Sequence, residues 1–143
     1  MSSEKMHFEY RVEGGNFSEA GYPSSQVKKT LKQLNVEGNV IKRTVVALYE
    51  AEVNIVAHAY RGVIAVDIDT EKIIITLTDE GPGIADIKKA MEIGYSTATP
   101  EVREMGFGAG MGLSNMNTNA DKLSITSEVG TGTIVEIMNY FHK

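Results

Sequence analysis

Three groups of residues have the types and spacing to do chemistry together. Glu50, Asn54 and His58 step by four, which stacks them along one side of a helix. Asp79-Glu80-Gly81-Pro82-Gly83-Ile84 places a carboxylate just before a tight glycine turn. Gly106, Gly108, Gly110 and Gly112 fall at every second position, with Met111 among them, and run into Leu113 and a helical pattern. The chemistry this suggests is nucleotide binding. A carboxylate at a strand end can accept a hydrogen bond from an exocyclic amine such as adenine N6, and the glycines let the backbone approach a flat base. A glycine loop that feeds a helix N-terminus offers backbone N–H groups to phosphate oxygens. On a mostly apolar helix an uncompensated Glu50 is costly, so it should meet a metal-bound water, a cation or a substrate hydroxyl.

Each group also has a plainer reading. The polar seam can face solvent, and Glu52, on the apolar side of the same helix, breaks the pattern. His58 near a helix C-terminus is a dipole partner, a satisfied neighbour or a phosphate contact. Asp, Gly and Pro favour ordinary turns. The glycine loop resists the plain reading best. Each glycine gives up roughly 0.5–1 kcal/mol in regular structure, so four so close together predict a loop ordered by its ligand. No Gly-Lys-Ser/Thr follows, so it is not a P-loop. A dinucleotide motif is also disfavoured, because the spacing differs and the preceding Thr97–Met105 is not a hydrophobic strand. Within that lid Arg103 either reaches a γ-phosphate or faces water. Met91, Met105, Met111 and Met116 read as packing residues.

The elements that must position these groups follow from periodicity. His7–Val12 alternates polar and apolar as a half-buried strand, and Phe17–Pro23 is a short strand or irregular. Ser24 or Ser25 is expected to cap a helix with Val27, Leu31 and Leu34 on one face; Lys28, Lys29 and Lys32 lie on its solvated side. Asn35–Asn39 breaks it. A longer helix is expected over Val40–Tyr60, ended by Arg61-Gly62, with Arg43 starting the polar stripe and Ala47 and Ala51 beside it. Strands Val63–Ile68 and Ile73–Thr78 follow, then helices over Ile84–Ile93 and Gly112–Ala120. Lys122–Val129 and Thr133–Tyr140 form a hairpin around Gly130-Thr131-Gly132. Hairpin strands with grouped helices argue for an α+β, two-layer sandwich: one mixed, largely antiparallel sheet with helices on one face.

The 143 residues suit a single domain spanning 1–143, with 42% hydrophobic and 23% charged residues, as in ordinary globular chains. No cysteine is present, which excludes disulfides, zinc–thiolate sites and a cysteine nucleophile. No apolar run reaches the roughly 20 residues of a membrane span, and the first residues lack a signal core, so no membrane partner and a cytoplasmic location are expected. The net charge of −5 disfavours nucleic acid as a partner.

The order of motifs resembles the Bergerat ATP-binding fold, shared by DNA gyrase, MutL, a heat-shock chaperone and histidine kinases. The resemblance rests on Glu50…Asn54, Asp79-x-Gly81-x-Gly83, the glycine loop at 106–112 and Gly132-Thr133. Within that superfamily the chain is similar to the small stand-alone serine/threonine kinases of bacteria, the anti-sigma factors and stress-switch kinases; Gly94-Tyr95-Ser96-Thr97 before the glycine loop fits the switch branch. The resemblance implies ATP and Mg²⁺ as cofactors, Glu50 as base, Asn54 as Mg²⁺ ligand, Asp79 as adenine anchor and Thr133 as its support. It also implies a STAS-domain antagonist protein as acceptor and a possible homodimer through the first strand. The residues by themselves leave another class open, a nucleotide-gated module that binds a sigma factor or phosphatase without transfer. A detached histidine-kinase catalytic domain is a third reading; no phosphoacceptor-histidine helix pair accompanies it. One stretch departs from the family pattern, Asn115–Ala120, which is more polar.

Overall fold

The computed structural model describes residues 5–84 and 112–142. Its elements in chain order are β1 (Met6–Glu13), a 3₁₀ turn (Phe17–Glu19), α1 (Tyr22–Gln33), α2 (Gly38–His58), β2 (Arg61–Ile68), β3 (Lys72–Glu80), α3 (Gly112–Asn119), β4 (Lys122–Glu128) and β5 (Gly132–Tyr140). The strands form one sheet in the order β1-β2-β3-β5-β4. Every pairing is antiparallel. The expected sheet was mixed; among the described strands it has no parallel pair, because short turns join β2 to β3 and β4 to β5 and β5 returns beside β3 in the opposite sense.

Period-two alternation divides the sheet into two faces. Ile64, Val66, Ile73, Ile75, Leu77 and Ile137 point to one face and are buried there. Glu9, Asp67, Thr78 and Glu136 lie on the other and are exposed. α2 crosses the apolar face, touching β1, β2, β3 and β5, and α1 and α3 pack against α2. This is the two-layer α+β sandwich expected from the order of elements. No helix of the described residues is long and apolar enough to cross a membrane.

Several boundaries differ from expectation for physical reasons. α1 starts at Tyr22 and its N-cap is Gly21, not Ser24 or Ser25. Pro23 occupies the first turn, where its missing N–H is no loss. Ser24 is instead buried, and its hydroxyl serves a partner on α2 described below. α1 ends where Asn35 takes a left-handed conformation, with φ of 59°. Asn35 N–H then donates to Lys32 O and Val36 N–H to Leu31 O, both at 3.1 Å, satisfying the last carbonyls in a Schellman arrangement.

α2 stops at His58, two residues before the expected end, and Arg61-Gly62 is strand rather than helix terminator. The cause is that Tyr60 N–H donates to Glu80 O at 2.8 Å, so the sheet takes the chain there. Phe17–Pro23 contains no strand. β1 lies at the sheet edge, and its alternate side chains face inward: Val12 is buried, and Phe8 and Tyr10 pack against the core. The expected helix beyond Ile84 and Gly94–Thr97 lie outside the described residues.

Candidate functional site

α2 is 21 residues long and carries the seam of Glu50, Asn54 and His58, all half-buried. From His58 to Glu50 the seam runs about 12 Å at the helical rise. Ala47 and Ala51, expected beside it, are buried. Arg43, expected to begin the stripe, is claimed by structure. Its Nη1 donates to Asp121 Oδ1 at 3.1 Å, across the join between α2 and β4. Glu50 has a different neighbour: Asn115 Nδ2 of α3 donates to Glu50 Oε1 at 3.5 Å. Among the described residues no cation pairs with Glu50. His58 closes α2, and burial holds its imidazole below the ordinary value of 6.5. Burial thus works against the charged form of this ring.

Asp79 lies within the end of β3, paired with Gly62 of β2, rather than just after the strand. It is half-buried, and burial pushes its carboxyl up while the Thr133 N–H bond opposes that shift. That N–H donates to Asp79 Oδ1 at 3.1 Å, and no described residue donates to the other oxygen. Gly132 makes this closeness possible. A Cβ there would sit 2.0 Å from the Asp79 carbonyl oxygen, so any side chain would pry β5 from β3 beside the carboxylate.

The turn after Asp79 is held at both ends. Gly81 N–H donates to Thr131 O at 3.1 Å, and a Cβ on Gly81 would lie 3.0 Å from Ala59 Cα, so the turn rests on the end of α2. Gly83 has φ of +77°, and a Cβ there would meet Glu128 O at 2.5 Å. Ile84 N–H donates to Ser127 Oγ at 2.7 Å. Ser127 Oγ also lies 2.8 Å from Thr133 Oγ1 and donates to Gly132 O at 3.1 Å. Ser127 thus ties the turn to Thr133. Sequence reasoning missed it, because a serine on an alternating strand gives no local signal of this role.

The seam and the Asp79 turn therefore meet at Ala59, with Glu50 and α3 at the far end. Gly112 opens α3 and Leu113 follows in its first turn. Arg103, Gly106, Gly108, Gly110 and Met111 lie outside the described residues, as do Met91 and Met105.

Glu52 was the residue that broke the pattern, and the structure explains it. It is 1% exposed. Its carboxylate accepts hydrogen bonds from Gly21 N–H, from Ser24 Oγ at 3.0 Å and from Ser24 N–H at 3.4 Å. It caps α1 from a neighbouring helix, accepting from donors that the helix end would otherwise leave unpaired. Burial still pushes its carboxyl above the ordinary value, with these bonds pulling the other way.

Comparison with known proteins adds a family. Residues 24–138 match the model described as a histidine kinase-like ATPase domain. The chain is 39% identical over 99 residues to an anti-sigma F factor of Thermoanaerobacter sp. (strain X514), a stretch covering 66% of each protein. It is 30% identical, over an aligned length of 148, to the anti-sigma F factor of Clostridium beijerinckii, covering 99% of this chain and 98% of that one. Among solved structures it resembles the RsbU and RsbW domains of a Mycobacterium tuberculosis protein, with a TM-score of 0.61 and 14% identity. That likeness, which concerns the fold, covers 96% of this chain and 32% of the solved one.

Proposed function

The chain belongs to the histidine kinase-like ATPase domain family, and from that premise we propose that it is a regulatory, ATP- and Mg²⁺-dependent protein serine/threonine kinase. Its acceptor would be a serine or threonine on a STAS-domain antagonist protein. The names of its relatives, anti-sigma F factors, support a setting in sigma-factor control. The observation that carries the reading is Glu50. It is a half-buried carboxylate at the α3 end of the seam, touched by a neutral amide and by no described cation. A base must keep its charge unquenched and its lone pairs available. A module that only binds nucleotide has no need of such a group.

The residues fit the nucleotide. Asp79 has an oxygen open to an exocyclic amine and is braced by Thr133, Ser127 and Gly132. Gly81, Gly83 and Ile84 would let the base lie against the turn. By the family resemblance Asn54 would be the side-chain ligand of Mg²⁺, with water and phosphate oxygens completing the octahedron. Arg103 and the loop of Gly106, Gly108, Gly110, Met111, Gly112 and Leu113 would hold the β- and γ-phosphates. His58, at the end of the seam, would offer a hydrogen bond to the nucleotide.

The transferable phosphoryl group and its charge neutralisation come with Mg²⁺-ATP when it binds. Glu50 would orient the acceptor hydroxyl and take its proton. The added charge on the acceptor would then loosen a partner interface. A homodimer joined along β1, the edge strand among the described strands, belongs to the same proposal.

The test is transfer of labelled γ-phosphate to candidate STAS proteins from the same genome. Transfer by wild type and not by Glu50→Gln is expected. Tight nucleotide binding without transfer to any acceptor would replace this reading with a nucleotide-gated binding module.

A further inference from the structure

The polar stretch Asn115–Ala120 departs from the family pattern, and the structure shows where its polar atoms go. Asn139 on β5 is fully buried; its Nδ2 donates to Thr44 Oγ1 of α2 at 2.9 Å and to Asn119 O at 3.1 Å. This pins the C-terminal end of α3 to α2 and to the sheet. Met116, also fully buried, anchors the middle of α3. Asn119 Nδ2 donates to Asn115 O at 2.9 Å, and Asn115 Nδ2 reaches Glu50 Oε1 at 3.5 Å. A continuous polar path therefore runs from the buried interior, along α3, to the carboxylate.

We propose that Asn115 is a positioning residue for Glu50. The proposal rests on the reading of Glu50 as the base. An amide donor fits this task better than the alternatives. A lysine or arginine at this place would pair with the carboxylate and quench it, and an aliphatic side chain would leave the carboxylate free to rotate. The amide holds Oε1 without removing the charge and leaves Oε2 toward the acceptor hydroxyl. Hydrogen bonds of this sort are often long before the site is loaded and tighten when substrate arrives. Because α3 begins at Gly112, the same amide ties the seat of the base to the helix that follows the glycine loop.

The experiment is single-turnover phosphoryl transfer at saturating Mg²⁺-ATP, on wild type, Asn115→Leu, Asn115→Asp, Glu50→Gln and the Glu50→Gln/Asn115→Leu double variant. Asn115→Leu keeps the volume and removes the donor; Asn115→Asp keeps the shape and carries the test if the leucine variant does not fold. Each is expected to slow transfer about tenfold, the scale of a hydrogen bond to a charged group. KM for ATP should stay within about twofold of wild type. In the Glu50→Gln background, Asn115→Leu should cause no further loss, since two residues acting through one contact are not additive. Wild-type rates in both single variants would overturn the proposal, as would an equal loss in the Glu50→Gln background. If wild type itself transfers nothing, the kinase reading falls and this role falls with it. Wild-type transfer with unimpaired Asn115 variants removes the positioning role alone.

Discussion

Glu50 and Glu52 are the same residue type, two positions apart on α2, and they face opposite ways. Two residues turn a helix through about 200°, so one carboxylate looks toward α3 and the other toward α1. Glu52 is sealed in the interior, with its lone pairs filled by Gly21 and Ser24. Glu50 is half-buried and, among the described residues, touched by one neutral amide. The first is a structural group that closes a helix end. The second lies beside the proposed site, and among the described residues that amide is its one hydrogen-bond donor. Surroundings, not residue type, separate a group that holds a fold together from one that can exchange a proton.

The largest test of this contrast is exchange of roles. Glu50→Gln should lower transfer by about 10²–10⁴-fold, the usual weight of a general base, and leave the urea midpoint unchanged. Glu52→Ala should do the reverse. It strands the donors of Gly21 and Ser24 at a cost of about 1–3 kcal/mol each, so a loss of about 3 kcal/mol in unfolding free energy is expected, with turnover of the folded fraction retained. A transfer defect in Glu52→Ala larger than its unfolded fraction explains would erase the contrast.

Next in size is Asp79, a third carboxylate, with one oxygen braced and one that no described residue donates to. Asp79→Ala should weaken ATP binding by about tenfold or more, measured by calorimetry, while Glu50→Gln binds within about twofold of wild type. Equal losses in both would mean that base and anchor are not separate.

The smallest effects lie in pH dependence. Glu52 is raised above its ordinary 4.5 by burial, so its protonated form favours the fold. Its contribution is fully present below 4.5 and is lost as pH rises through the folded value. Glu52→Gln should remove that slope from urea midpoints. His58 runs the opposite way. Its value is depressed below 6.5, so its contribution is present above 6.5 and lost as pH falls through the folded value. His58→Gln should flatten that acid limb.

Much of this architecture could be read from local pattern. The alternation in 73–77, the long apolar helix around Leu48 and the glycine turn after Asp79 are short-range signals, and they led to the two-layer sandwich. The seam of Glu50, Asn54 and His58 was visible as a four-residue step. Arg43 shares that side of α2, but its bond to Asp121 could not be read locally because the partner is far away in sequence. The helix end at Tyr60 was misplaced because a sheet bond to Glu80 competes with two more helical residues. Ser127, Asn115 and Asn139 carried no local mark at all, since their meaning lies in what folds against them.

The sequence alone determined the periodicities, the breaks at glycine, proline and Asn35, and the presence of carboxylates with the right spacing. These depend on backbone sterics and on which side chains share a face, and both act within a few residues. Only the tertiary structure decided which carboxylate is consumed and which stays available. That choice depends on desolvation and on hydrogen-bond partners brought from elsewhere in the chain: Gly21 and Ser24 to Glu52, Thr133 to Asp79, Asn115 to Glu50.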